Sequence, residues 1–281
     1  MKIAMTGASG FVGAHLTQAL ERQGHDIRPV DLRKGVETAD LEGCETVVNL
    51  AGEPVAQRWT DQARERIRGS RVDGTRALVR AMAGLSRPAQ LLISASAVGC
   101  YGSRGDEILT EDSTLADDFL GRVASDWERE AHRAEDLGTR VAIMRFGVVL
   151  GPHGGALKKM LAPFRLGMGG RLGSGEQWMS WIHLDDLIAM ISFLMVESTV
   201  RGVFNATAPH PVTNAVFTHE LAHAVHRPAI VPVPGFALKI LLGEMASVLL
   251  NSQRVVPQAA VRAGFEFRYP EIGAALVDVL K

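Results

Sequence analysis

The chain has 281 residues, a formal net charge of −1 and 47% hydrophobic residues, enough for one large α/β domain or two unequal lobes. The balanced charge excludes the basic footprint of a nucleic-acid binder, and two cysteines, Cys44 and Cys100, exclude a disulfide framework. The longest uncharged apolar run, Leu187 to Val196, is too short to span a bilayer, and glycines interrupt Met1–Leu20 where a secretory segment would be apolar.

A soluble cytoplasmic protein is therefore expected, with a small molecule as its partner and neither nucleic acid nor membrane. Along the chain, Ile3 to Met5 predicts a strand, followed by Gly7, Gly10 and Gly13 in GxxGxxG spacing and a helical pattern through Leu16 and Leu20. Strand, glycine turn and helix in that order build a phosphate cradle. Gly7 permits the turn, Gly10 lets backbone approach a pyrophosphate, and Gly13 allows close helix–strand packing. The free N–H groups and positive end of the helix then face the phosphates.

Ile27–Asp31 and Thr46–Leu50 read as the next strands. The interval Leu32–Glu45 is too short for a strand plus a full crossover, so an abbreviated connection with little or no helix is expected. Thr60–Leu85 is helical in pattern, with Gly69 and Gly74 as weak points. Leu91–Ser94 is a buried strand, Asp117–Leu137 a helix, and Val141–Val149 a strand entering Gly151-Pro152. Such alternation implies an α/β fold, a Rossmann-type doubly wound parallel sheet with right-handed connections, over residues 1–152. Ligands bind beyond the carboxyl ends of its strands, near Gly52, Ser96 and Gly147.

From 153 to 281 the texture is that of a smaller, irregular C-terminal substrate lobe, with some chain returning to the sheet. His153–Gly175 is glycine-rich and basic, and Val203–Ala208 looks like one more strand. Phe217–Val225 and Phe236–Leu250 look helical, joined by a connector carrying Pro228, Pro232 and Pro234.

Asp31 lies at the expected end of the second strand, where a carboxylate accepts hydrogen bonds from the adenosine ribose and favours NAD. Beside a 2′-phosphate the like charges would cost up to about 4 kcal/mol at close range. Arg33 and Lys34 follow directly and could swing onto that phosphate, which keeps NADP open.

Taken together, the chain resembles the extended short-chain dehydrogenase/reductases, and within them the atypical YfcH-like epimerase family with its C-terminal domain of unknown function. The motifs are TGASGFVG at Thr6–Gly13, NLAGEPV at Asn49–Val55, SASAVGCYG at Ser94–Gly102, RFGVVLG at Arg145–Gly151, WIHLDD at Trp181–Asp186 and GFEFRYP at Gly264–Pro270. The resemblance implies that Gly7, Gly10, Phe11, Val12 and Gly13 hold the pyrophosphate of NAD(P), that Asp31 and Arg33 face the adenosine ribose, and that Leu50 and Ala51 line the adenine side. It further implies that Arg71 reaches the cofactor, that Val148 and Val149 close over the nicotinamide end, and that the long helices pair in a homodimer. Two positions depart from the pattern. NADP-preferring relatives tend to carry a small polar residue and arginine where this chain has Asp31-Leu32, and Cys100 stands where a second aromatic is usual.

Redox chemistry in this superfamily normally uses a Tyr-x-x-x-Lys pair with a serine or threonine. The chain's two tyrosines, Tyr101 and Tyr269, each have glycine four residues on, so the pair is absent. Ser96 falls where the catalytic serine would be, or is a strand-end serine with a structural bond. Tyr101 could substitute as the acid, or is a buried aromatic with a satisfied hydroxyl. Glu53, Arg58 and His183 are candidate substrate contacts with structural alternatives, while Asp185 and Asp186 read as caps of the helix that follows.

His219-Glu220-Leu221-Ala222-His223 is a literal HExxH, but it lies in the region covered by the resemblance, and no catalytic metal is expected. Two readings follow. One is an oxidoreductase or epimerase-like enzyme acting on a small polar or sugar-like substrate. The other is a dinucleotide-binding sensor or interaction protein without turnover.

Overall fold

The computed structural model describes residues 1–281. Its centre is a six-stranded parallel sheet made of β1 (Lys2–Thr6), β2 (Asp26–Val30), β3 (Thr46–Asn49), β4 (Leu91–Ala97), β5 (Arg140–Phe146) and, after two short strands β6 (Val148–Leu150) and β7 (Trp181–His183), β8 (Gly202–Ala206). The spatial order is β2-β1-β3-β4-β5-β8. The chain leaves β1 toward one edge and returns to the other side of it as β3, so the topological switch lies between β1 and β3. Thr6 and Asn49 pair across that switch, and a ligand crevice is expected beyond them.

Both faces of the sheet are buried, as alternation along β1 shows. Ile3 and Met5 enter one core with Leu16 and Leu20 of α1 (Phe11–Arg22), while Ala4 enters the other with Leu78 and Val79 of α2 (Asp61–Ala83). That double burial explains the near-continuous apolar strands in the sequence. α3 (Phe119–His132) joins the second layer through Ala131, and α5 (Leu184–Val196) joins the first through Leu187 and Met190. α5 and β8 thus extend the sheet layers to residue 206. A third core gathers α4 (Gly155–Arg165), α6 (Asn214–Ala224) and α8 (Ile272–Val279) around Trp181 and Leu221. Between the last two, α7 (Gly235–Leu242) presents Phe236, Ile240 and Leu241 outward.

Local chemistry sets the boundaries. Thr60 caps α2 by accepting from the Ala63 N–H, and Asp118 caps α3 through the Gly121 N–H. The connection Leu32–Glu45 is abbreviated, with a 3₁₀ turn at Leu32–Lys34 and a single helical turn at Thr38–Leu41. Val141–Val149 is two strands rather than one. At Gly147 a Cβ would stand 2.8 Å from the Ser180 carbonyl oxygen, and there the chain leaves the main sheet to pair β6 with β7. Phe236–Leu250 is likewise broken at Gly243, whose φ of +61° suits glycine. No helix is long and apolar enough to cross a membrane.

Candidate functional site

Beyond the carboxyl ends of β1 and β3 lies a cleft of about 730 Å³. Gly7 and Gly10 form one wall, Asp31 and Arg33 the far end, and Leu50, Ala51 and Glu53 the opposite wall. The glycines are required by contact. Gly7 has φ +68°, and a Cβ there would lie 2.8 Å from the Leu50 carbonyl; one on Gly13 would lie 2.2 Å from the Gly7 oxygen. Thr6 fixes the opposite wall: its hydroxyl donates to Asn49 Oδ1 at 2.7 Å and accepts from the N–H groups of Leu50 and Ala51. No side chain caps α1 at Gly10, so the helix start retains free donors for an anion. Gly69 and Gly74, the weak points of the helical pattern, line the same cleft on an unbroken α2.

Asp31 and Arg33 clasp one another at the cleft's end. Arg33 Nε and Nη2 donate to the two carboxylate oxygens at 2.9 and 3.0 Å, and the Arg33 N–H adds a third bond. These bonds hold the Asp31 carboxyl below the usual carboxylate range.

Arg71 extends from α2 behind Gly52, where a Cβ would stand 3.1 Å from the guanidinium. It donates to the carbonyls of Glu53 and Ile67 and lies 5.3 Å from the Trp127 ring centroid. It has no carboxylate partner, and burial pushes its pKa down to about 10. A glycine cradle, an uncapped helix start and a desolvated cation that forms no ion pair, with only the charge of Glu53 acting on it, together fit a dinucleotide. The side chains of Phe11, Val12, Arg71, Val148 and Val149 are half-buried and do not line this cleft. Phe11 packs under Gly154 and Gly155 instead.

Ser96 and Tyr101 come together in one buried network. The Ser96 hydroxyl donates to Glu128 Oε1 at 2.6 Å, and Arg145 clasps Glu128 through Nε and Nη2 at 2.9 and 2.8 Å. Arg145 Nη1 donates to the Tyr101 hydroxyl, which donates to Asn205 Oδ1, both at 2.7 Å. Burial opposes the Arg145 charge, but the hydrogen bonds and charge of Glu128 outweigh it and push the guanidinium pKa up. Tyr101 is 0% exposed, and burial raises its hydroxyl pKa despite Arg145 beside it. Its hydroxyl is thus enclosed and fully partnered, the arrangement of a scaffold tyrosine rather than of a proton donor facing a cleft.

A second cleft, of about 860 Å³, lies between the sheet domain and the C-terminal region. Trp59, Asp118, Phe119 and Leu120 form one side, and Lys239, Glu244 and Leu250 the other. Arg64 pairs with Glu244 across it and stands over the Trp59 and Phe119 rings at 5.8 and 4.9 Å. The start of α3, the segment where a Tyr-x-x-x-Lys pair would begin, therefore offers apolar side chains to this cleft.

The candidate substrate residues are not gathered in one place. Glu53 lines the dinucleotide cleft and accepts from Gln57. Arg58 is exposed on the segment joining the two clefts. His183 caps α5: its Nδ1 accepts from the Asp185 N–H at 3.0 Å, its ring stacks on Tyr269 at 3.9 Å, and its Nε2 lies 3.5 Å from Asp278. Asp186 does more than sit in the first turn, because its carboxylate accepts from the N–H groups of Arg268 and Tyr269 at 2.9 Å each and pins the C-terminal segment. In HExxH, Glu220 turns to α8, where its Oε2 lies 2.8 Å from a Cβ placed on Gly273, while the histidines line a different cleft. The chain contains no group of side chains arranged to hold a metal ion.

Sequence reasoning passed over Glu128, Arg145 and Asn205. The available signal was a lone arginine inside the apolar run Val141–Val149, since a charge in a buried strand requires a partner.

The fold has known counterparts. Residues 3–206 match the NAD dependent epimerase/dehydratase family, and residues 233–279 match a domain of unknown function, DUF1731. "Epimerase family protein YfhF" of Bacillus subtilis is 38% identical over 100% of this chain and 98% of its own length. The crystal structure of human epimerase family protein SDR39U1 (isoform 2) with NADPH superimposes with a TM-score of 0.93 at 33% identity, covering 100% of this chain and 99% of that one. A nucleoside-diphosphate sugar epimerase from Corynebacterium glutamicum gives a TM-score of 0.82 at 37% identity, covering 100% of this chain and 58% of that one.

Proposed function

The chain belongs to the NAD dependent epimerase/dehydratase family, and on that premise we propose an NAD(P)-dependent oxidoreductase or epimerase-like enzyme acting on a small polar or sugar-like substrate held between the two lobes. The observation that carries this reading is the glycine cradle with the unpaired Arg71 guanidinium behind it, joined by residues 53–59 to the interlobe cleft. NAD(P), when bound, supplies or accepts a hydride at nicotinamide C4. The backbone of Gly7, Gly10 and the α1 start receives the pyrophosphate, and Arg71 adds positive charge from behind Gly52. Val148 and Val149 remain assigned to the nicotinamide end by their resemblance to the family pattern.

Ser96 is assigned to the substrate oxygen by the family pattern; here its side chain is buried with its proton on Glu128, so substrate must draw the hydroxyl out of that bond. Tyr101 belongs to the scaffold of that network, and the proton is exchanged with a polar side chain of the interlobe cleft. Of the two cofactors NAD is the better fit. A 2′-phosphate must draw Arg33 away from Asp31 and leave an uncompensated carboxylate beside it. The NADPH in the human relative's crystal structure marks the alternative, with Arg33 as the receiving group.

A second reading, a dinucleotide-binding sensor without turnover, is favoured by Phe119 and Leu120 at the start of α3 and by the enclosed Tyr101. Incubation with 4-deuterated NADH and NADPH and a panel of nucleotide sugars and small carbonyl compounds separates the two. Deuterium in a product, lost in Ser96→Ala, supports the enzyme. Tight binding without transfer to any of them supports the sensor.

A further inference from the structure

The histidines of the HExxH sequence have a use that neither the metal reading nor the dinucleotide site supplies. His219 and His223 share one face of α6, and with His226, Arg227 and Arg171 they line a cleft of about 680 Å³. No acidic side chain lines it, since Glu220 points to the opposite side of the helix. Neither arginine forms an ion pair: Arg227 makes only one long bond of 3.4 Å to the His226 carbonyl, and Arg171 donates to nothing. The two guanidiniums, both exposed, therefore have donors free to take an anion.

The backbone holds this arrangement at a cost. α6 ends in a Schellman turn, with the Arg227 N–H on the Ala222 carbonyl at 3.1 Å and the His226 N–H on the His223 carbonyl at 3.0 Å. The residue in the left-handed position of such a turn is ordinarily glycine, yet here it is His226, with φ +53°. The strain places an imidazole and the next guanidinium on the same hollow. Histidine enters this region more readily than most side chains, and an outlier of this kind at a lining residue is an observation from which a function is inferred.

The cleft is also distinct from the interlobe cleft. Segment 169–173 runs beside 231–233, bonded through the Val231 N–H to Gly169, the Val233 N–H to Arg171 and the Gly173 N–H to Val233. Gly173 faces Leu250, a wall of the interlobe cleft, while Arg171 faces the histidines.

We propose that this cleft is a second ligand site, which binds a small organic phosphate. Guanidinium forks and imidazole N–H groups receive the phosphoryl oxygens, and Pro228, Ile230 and Pro232 form an apolar wall for the carbon skeleton. The volume suits a small molecule rather than a bare ion. The proposal does not depend on hydride transfer at the other site.

Calorimetric titration of the full chain with phenyl phosphate, the dinucleotide cleft first saturated with NADH, tests it. The expected result is one phenyl phosphate per chain, no binding of phenol, and at least a tenfold loss of affinity in Arg171→Ala/Arg227→Ala. His226→Gly relieves the strained turn, so it should keep or raise the melting temperature while weakening phenyl phosphate severalfold. Arg201→Ala, an exposed arginine outside every cleft described, should bind as the native chain does. Absence of binding, competition by NADH, or unchanged affinity in both the double variant and His226→Gly would overturn the proposal.

Discussion

The hydroxyl of Ser96 lies 2.6 Å from Glu128 Oε1, the same oxygen that accepts from Arg145 Nε, while Arg145 Nη2 donates to Oε2. A serine that the family pattern assigns to chemistry is thus tied to a buried ion pair whose side chains are 6% and 8% exposed. Removing one member of such a pair leaves the other charged in a low-dielectric surround. Glu128→Ala is expected to lose about 3–5 kcal/mol of stability in urea unfolding. Tyr101→Phe, which strands Asn205 Oδ1 and leaves Arg145 Nη1 only its 3.3 Å bond to the Glu111 carbonyl, should lose about 1–3 kcal/mol. If Tyr101 belongs to the scaffold, any turnover should survive that substitution in the folded fraction. Abolished turnover with native stability would return Tyr101 to the chemistry.

Cofactor preference turns on Asp31 and its clasp with Arg33. The native chain is expected to bind NADH more tightly than NADPH. Asp31→Ser removes the carboxylate and frees Arg33, which should shift the ratio toward NADPH by about tenfold or more, since charge-assisted bonds to phosphate are worth about 1.5–3 kcal/mol. Arg33→Ala should weaken NADPH and leave NADH nearly unchanged. Fluorescence titration with both dinucleotides reads this directly, and a native preference for NADPH unaffected by Asp31→Ser would contradict it.

Arg71 offers a separate handle on the same cleft. It stays protonated at neutral pH, yet burial has lowered its pKa to about 10, so an anion nearby should be bound with little competing solvation. Arg71→Lys retains the charge but loses the planar fork and the stacking on Trp127. About a tenfold rise in dinucleotide Kd is expected, with no change in fold by circular dichroism.

His183 predicts a pH dependence of stability. Burial lowers its pKa, against the raising influence of Asp185, Asp186 and Asp278, with Arg268 adding to the lowering. The unfolded chain takes up the proton near the ordinary imidazole value of about 6.5, before the folded protein does. Stability is therefore full above that pH and falls as pH drops through it toward the depressed folded value. His183→Asn keeps a capping acceptor without the titration, so its urea midpoint should change less between pH 7.5 and 5.5 than that of the native chain. Asp278, held low chiefly by Lys281, acts in a more acidic window, losing its contribution as pH falls below the usual carboxylate range. Parallel midpoints for the two proteins would count against the assignment.

Much of the sheet domain was legible in the sequence because local signals and tertiary packing agree there. β1, the glycine turn and α1 follow directly from Ile3–Met5, Gly7, Gly10 and Gly13; the helix expected from Thr60 starts there, and the one expected over Asp117–Leu137 runs from Phe119 to His132 after its cap Asp118, with a 3₁₀ turn at Glu135–Leu137. The breaks at Gly147 and Gly243 were hidden because periodicity continues through them. What ends the element is a distant backbone atom in one case and a left-handed turn in the other. The site divides the same way. The cradle and Asp31 can be read from spacing, but the Ser96–Glu128–Arg145–Tyr101–Asn205 network joins residues up to 104 positions apart, and no local pattern shows which buried polar groups meet.

The most direct measurement of the central claim, a dinucleotide held by the glycine cradle, is NADH and NADPH fluorescence titration of the native chain against Gly13→Ala. A methyl on Gly13 would stand 2.2 Å from the Gly7 carbonyl oxygen and must push the turn away from the helix start. Saturable binding by the native chain, lost or weakened by about a hundredfold or more in a variant that still melts cooperatively, is the predicted result, a difference of about 2.7 kcal/mol or more. Equal binding by the two proteins, or no binding by the native chain, would contradict the account.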